Sequence, residues 1–226
     1  MTGATGFIGS YVLKCALSQG FRVMILLRRD SDTASIKDVG GVGSLVYGHL
    51  TDPCVIGEIV KFSPEVFIHM GWKGVAGSAR NEPYQVTDNV PAIISSVQCA
   101  YKSGCKSWVG IGSQAEYGSP NCKADETFPT APTTLYGKAK LASCWASSAL
   151  CQAYGLNWSW VRIFSTYGPG DKTYWLIPHL IREMAQGNSV KVTKAQQLWD
   201  YLYVEDAARG ILAVAQAFGS GIFNLG

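Results

Sequence analysis

The stretch Leu135-Tyr136-Gly137-Lys138-Ala139-Lys140 sets a tyrosine and a lysine four residues apart. On a helix that spacing places both on one face. A free phenol loses its proton only near pH ~10, too high for easy proton exchange at neutrality. A lysine ammonium one turn away stabilises the phenolate and lowers that value. Upstream, Ser113 ends the apolar run Lys106–Ser113. The carboxyl end of a strand is where open α/β sheets place ligands. From there Ser113 could hydrogen-bond a substrate oxygen whose charge changes during hydride transfer. A Tyr/Lys pair alone is common by chance; the serine and the opening of the chain make it more specific.

That opening, Thr2-Gly3-Ala4-Thr5-Gly6-Phe7-Ile8-Gly9, spaces three glycines as GxxGxxG. Glycine permits a tight turn and close approach of backbone to a pyrophosphate, which a following helix N-terminus favours electrostatically. A helix follows, with Ile8, Val12 and Leu17 inward and Gly20 at its end, and then an apolar strand at 21–28. The end of that strand normally reads the adenosine ribose, an acid selecting NAD and an arginine accommodating the 2′-phosphate of NADP. Here Leu27 stands where the acid is expected and Arg28 and Arg29 follow, which favours NADP over NAD; Asp30 takes the acid's role if the strand runs longer.

The elements that must position these groups alternate. Strands are expected at 21–28, 44–50, 65–70, 106–113 and 157–164, and helices at 53–62, 84–103 with a kink at Pro91, and 135–155. Near-continuous apolar strands between helices indicate a parallel sheet covered on both faces. The fold class expected is α/β, a Rossmann-like doubly wound sheet over residues 1–164. Residues 165–204 are read as part of a small substrate lobe, with a helix near 174–187 and strands near 190–193 and 198–204. Residues 205–226 return to the main sheet as a helix and a strand.

Composition agrees with a globular, core-rich protein: 47% of the 226 residues are hydrophobic and 15% charged. A net charge of +3 is too small to argue for nucleic acid. Seven cysteines without a CxxC pair, and three histidines, make no zinc framework. No secretory signal or membrane span is visible, so a reducing, cytoplasmic setting is expected, with buried cysteines acting as small hydrophobes. His69 reads as a satisfied core histidine and His179 as a surface residue. Trp72, Trp175 and Trp199 read as packing residues before sugar-stacking ones.

Taken in order, "TGATGFIG", "VFIHMGW", "DNV" (88–90), "GSQAEYG" (112–118), "LYGKAK", "VRIFSTYGPGD" and "WDYLYVEDAARG" (199–210) resemble the blocks of an extended short-chain dehydrogenase/reductase of the NAD-dependent epimerase/dehydratase family. The resemblance covers nearly the whole chain and is nearest to nucleotide-sugar reductases and 4-epimerases of surface-polysaccharide pathways. It implies Tyr136 as acid/base, Lys140 also holding the nicotinamide ribose, and Ser113 assisting at the sugar oxygen. The implied cofactor contacts are Gly3, Gly6, Phe7, Ile8, Gly9, Arg28, Leu50, Met70, Gly71, Asn89, Tyr136 and Lys140. The implied substrate contacts are Ser113, Gln114, Ser165 and Trp199, with no metal.

The implied partner is a nucleotide sugar, with neither nucleic acid nor membrane, and a homodimer is possible. The implied activity is hydride transfer at C4 of a nucleotide-bound hexose, as 4-keto reductase or 4-epimerase; the alternative is a non-catalytic dinucleotide-binding redox sensor or scaffold. Several positions depart from the family pattern. Gln114 and Ala115 replace the acid pair of the 4,6-dehydratases, which discounts dehydration. His49 replaces an adenine-side Asp, Ser165 an Asn and Trp199 a phosphate-gripping Arg. Glu116, one place beyond the acid pair, reads as structural.

Family members also carry an apolar strand before the first glycine block, where this sequence has only Met1 and Thr2, and continue past "FNLG". The reading is of a chain clipped at both ends, its first strand missing and its substrate lobe incomplete. The sheet should then show a gap between the strands at 21–28 and 65–70, or those strands closed on each other.

Overall fold

The computed structural model describes every residue except Asp38, Gly40 and Val42. Its elements alternate in the expected manner. Helix α1 (Phe7–Ser18) is followed by β1 (Met24–Leu27), β2 (Ser44–Tyr47), α2 (Pro53–Phe62) and β3 (Val66–His69). Next come α3 (Tyr84–Thr87), α4 (Asn89–Lys102), β4 (Ser107–Ser113), α5 (Leu135–Tyr154) and β5 (Asn157–Ile163). The chain finishes with β6 (Ser165–Tyr167), α6 (Leu176–Ala185), β7 (Tyr201–Tyr203), α7 (Val204–Gln216) and β8 (Gly221–Leu225).

All the pairings are parallel: β1 with β2, the run β3-β4-β5-β8, and a separate pair β6-β7. Alternate side chains of each strand feed opposite faces. Phe67, Trp108 and Trp160 pack with α2, α4 and α5 on one face. Ile68, Val109 and Val161 pack with α1 and α7 on the other. The sheet is therefore doubly wound. The indoles of Trp108 and Trp160 stack 6.3 Å apart, over Gly110 and Gly112, where a Cβ would run into them.

Three local expectations need correction. The helical stretch 84–103 breaks at Asp88, between α3 and α4, and not at Pro91. Pro91 lies in the first turn of α4, where an amide hydrogen has no intrahelical partner and its loss costs little. No strand forms at 190–193, and only Tyr201–Tyr203 of the stretch 198–204 is extended. Residues 188–200 are almost all exposed, so nothing rewards pairing there. The partner of β7 is instead β6, which follows β5 directly.

The sheet has a gap. Between β1 and β3 the only connection among the described residues is Thr2, bridged to Leu26 on one side and His69 on the other. Thr2 N–H donates to the Ile68 carbonyl at 3.1 Å, and Leu26 N–H donates to the Met1 carbonyl at 2.9 Å. Behind this bridge lies a cavity of about 660 Å³ lined mainly by apolar side chains, including Met1, Met24, Leu26, Val66, Phe67 and Ile68. It has the place and the flanks of one more parallel strand.

Each large apolar side chain buried there would contribute ~1.5–3 kcal/mol. Appending four or five β-branched residues ahead of Met1 is therefore expected to raise the melting temperature by roughly 5 °C or more. A scanning-calorimetry melt unchanged by the extension would show that the cavity does not accept a strand.

Candidate active site

The glycine turn is built for backbone contact. Gly3 has φ +71°, and a Cβ on it would meet the Met70 carbonyl carbon at 2.6 Å and Gly71 N at 2.7 Å. A Cβ on Gly9 would collide with the Gly3 carbonyl oxygen. The turn is thus pressed against the end of β3. Thr2 Oγ1 locks it there by accepting from Met70 N–H and Gly71 N–H, both at 3.2 Å. Gly6 caps α1 without a side-chain hydrogen bond, and no acid stands in the first turn. A helix start without a side-chain cap, behind a turn bracketed by Gly3 and Gly6, suits a pyrophosphate.

Ile8 packs on the α1/α7 face, and Leu50 packs against the core beside α2. Phe7 meets Tyr11 edge to face at 6.1 Å. Arg28 lies exposed at the carboxyl end of β1, with Asp30 at 3.6 Å. With Arg29, Asp30, Gly48, His49 and Asp52 it lines a second cavity of about 480 Å³.

Helix α5 starts at Thr134, whose side chain accepts from Gly137 N–H at 3.1 Å, and ends at Gly155 in the left-handed conformation. Tyr136 and Lys140 are both buried on its inner face. The Tyr136 phenol is pushed up, not down as the Tyr/Lys spacing led one to expect: burial, with the charge of Glu116, outweighs the downward pull of the neighbouring Ser113 and of the charge of Arg80. Lys140 Nζ donates to the Ile111 carbonyl at 2.6 Å. It also lies 3.7 Å from the Trp72 ring centroid and 5.8 Å from that of Tyr136. Burial pushes the ammonium down to about 7, against a pull upward from Glu116.

Ser113 is held by a carboxylate that sequence reasoning undervalued. Glu116 is fully buried, and its Oε1 accepts from Ser113 N–H at 2.9 Å, while Ser113 Oγ accepts from Ala115 N–H at 3.2 Å. Trp160 Nε1 donates to both oxygens of Glu116, at 2.9 and 3.1 Å, and Arg162 Nε donates to Oε2 at 2.8 Å. Arg162 also donates to Tyr117 Oη at 2.7 Å, and Tyr117 donates to Asn224 Oδ1 at 2.9 Å. The spacing Ser113-x-x-Glu116, a capping-box signature, was the available signal.

The expected substrate contacts converge. Gln114 Nε2 donates to Ser165 Oγ at 3.3 Å, and Trp199 Nε1 donates to the same oxygen at 2.7 Å. Asn89 pins the loop after β3, accepting from Lys73 N–H at 2.9 Å and donating to the Lys73 carbonyl at 3.0 Å. Gln85, absent from the expectations, joins this loop to its surroundings. It accepts from Trp72 Nε1 at 2.8 Å and from Asn89 at 3.2 Å. No periodicity marks it.

His69 is buried and shares a hydrogen bond with Thr2 through Nδ1, but its Nε2 has no partner, so it is only half satisfied. Burial, reinforced by the charge of Lys140, pushes it down to about 3, so the ring is neutral. His179 sits at the surface against Arg182. Cys99, Cys105, Cys144 and Cys151 are buried thiols that burial pushes up. No metal-ligand cluster occurs among the described residues, and no described helix is long and apolar enough to cross a membrane.

Over residues 1–226 the sequence profile of the NAD dependent epimerase/dehydratase family matches, and the chain belongs to that family. Among its relatives is the UDP-glucose 4-epimerase of Corynebacterium glutamicum, 26% identical over 249 residues, covering 100% of this chain and 74% of the relative. Another is UDP-glucose 4-epimerase 4 of Oryza sativa subsp. japonica, 28% identical, with 100% and 71% covered. Of solved structures, MoeE5 in complex with UDP-glucuronic acid and NAD is 27% identical, with a TM-score of 0.80 and coverage of 100% and 75%. The UDP-glucose 4-epimerase of Thermotoga maritima with UDP-glucose has the same fold, with a TM-score of 0.83 at 23% identity and coverage of 100% and 75%. The family is one of nucleotide-sugar enzymes of the extended short-chain dehydrogenase/reductase type.

The buried lysine carries a pH dependence. Its folded value lies below the ordinary 10.5, so the unfolded chain binds that proton more tightly. The cost is full below about 7 and is relieved as pH climbs toward 10.5. Denaturant titrations across that window should find wild type gaining stability relative to Lys140→Met. A constant difference between the two would mean that the ammonium is not desolvated.

Proposed function

We propose that the chain catalyses hydride transfer at C4 of a nucleotide-bound hexose, as a 4-epimerase. The observation that carries this reading is that Tyr136 and Lys140, 5.8 Å from ring to ammonium in the first turns of α5, sit against the carboxyl end of β4 that bears Ser113, beside the Gln114–Ser165–Trp199 cluster. The residues fit a dinucleotide: the bare glycine turn and uncapped α1 for the pyrophosphate, Met70 and Gly71 beside it, and Lys140 for the nicotinamide ribose. When bound, that cofactor supplies a hydride acceptor and donor.

Within this reading, Tyr136 takes the C4 hydroxyl proton as hydride leaves C4, and gives it back to the C4 oxygen when hydride returns to the opposite face of that carbon. Ser113 donates a hydrogen bond to the C4 oxygen, and its backbone is held by Glu116. Asn89 keeps the loop after β3 in place, and Gln114, Ser165 and Trp199 contact the sugar nucleotide. Dehydration is disfavoured because Gln114 and Ala115 carry no carboxylate and Glu116 is consumed by Trp160 and Arg162.

A second reading, 4-keto reductase, is favoured by Arg28 and Arg29 in the cavity at the end of β1, which suits the 2′-phosphate of NADP. A cytoplasmic setting and a homodimer accord with either reading.

Tyr136→Phe keeps the ring and removes the proton carrier. Binding of UDP-glucose should survive while kcat falls by the ~10²–10⁴ of lost acid–base catalysis; wild-type turnover by this variant would remove the assignment. Arg28→Ala is expected to weaken NADP(H) binding about tenfold or more while sparing NAD(H). Titration by fluorescence decides, and equal losses for the two cofactors would sink the NADP reading.

A further inference from the structure

The Tyr136 ring is gripped from two directions. Trp72 meets it edge to face at 5.9 Å and 85°. The Arg80 guanidinium carbon lies 4.6 Å from the ring centroid. Lys140, expected to be the cation for this phenol, is farther from the ring at 5.8 Å and engages Ile111 and Trp72 instead. Arg80 is thus the positive charge nearer to the face of the ring.

Its position is anchored by backbone. Arg80 belongs to a short 3-10 turn, Gly77–Asn81. The next residue, Asn81, accepts from Leu135 N–H at 3.1 Å, which ties the turn to the start of α5. The preceding carbonyl, of Ala79, accepts from the buried Gln85 at 2.8 Å. The charge itself is not neutralised: Arg80 Nε is buried without a hydrogen-bond partner, and among the described residues no carboxylate pairs with Arg80.

We propose that Arg80 is a positioning residue for Tyr136, its guanidinium clamping the ring against Trp72 and supplying an unneutralised positive charge to the phenolate. This deepens the reading of Tyr136 as the acid/base and rests on it. A cation over an aromatic face is attracted to the neutral ring and far more strongly to the anion, and burial strengthens both effects. The direction of the Arg80 influence on the Tyr136 phenol agrees. Arg80 therefore does for the free protein part of what Lys140 is expected to do when the site is filled.

The test is an ultraviolet tyrosinate titration of the cofactor-free full chain, wild type minus Tyr136→Phe, which isolates one phenol without any turnover. In Arg80→Gln, and in Arg80→Met with its apolar stem, the Tyr136 midpoint should move upward by on the order of half a pH unit or more. Arg80→Lys should restore most of the difference. An unmoved midpoint in a folded neutral variant, checked by circular-dichroism melting, overturns the proposal. So does the failure of both neutral variants to fold, since the role would then be structural. The outcome is separable from the catalytic reading: wild-type turnover in Tyr136→Phe would end that reading and leave the titration result standing.

Discussion

A buried carboxylate must be satisfied or it unfolds its surroundings, and in this protein that carboxylate is Glu116. Fully removed from water, it collects an amide, an indole and a guanidinium. Arg162 opposite it is buried as well. The pair repays its desolvation only while all these donors stay aligned. That demand holds β4 and β5 in register, since Trp160 and Arg162 project from one strand toward the turn that follows the other. It sets the backbone of Ser113. It also reaches β8, because Arg162 orients Tyr117 and Tyr117 orients Asn224. The candidate catalytic serine, the centre of the sheet and its last strand therefore share one electrostatic requirement.

Much of the fold was legible because its signals are local. Apolar strands between helices specify a doubly wound sheet whatever the loops do, and the glycine spacing reports contacts that a Cβ would forbid. The spacing of Tyr136 and Lys140 needed only a helix to become a shared face. The hydrogen bonds that join Gln114 and Trp199 to Ser165 were not legible: the resemblance named the three residues as substrate contacts, without placing them against one another.

What stayed hidden arises from docking between segments. Arg80 and Gln85 sit in the irregular stretch after β3, where no period exists to assign a face. Their roles appear only once a 3-10 turn rests on α5 and a glutamine side chain reaches back to it. The break at Asp88 carries no residue signal of its own, and the proline that suggests one, Pro91, is harmless in a first turn. The stretch 188–200 has strand-like residues but pairs with no strand among the described residues.

The gap in the sheet bears on how the molecule opens. With Thr2 the one rung between β1 and β3 among the described residues, the β1–β2 ribbon and the four-stranded remainder are joined mainly through α1 and shared packing. One apolar cluster nonetheless runs through both units, so the seam is crossed by side-chain packing more than by backbone hydrogen bonds. A ligand laid along the glycine turn would touch both units at once. Its binding energy would then act as a clasp across the seam, and backbone hydrogens of β1 and β2 would exchange with solvent at a rate set by ligand occupancy.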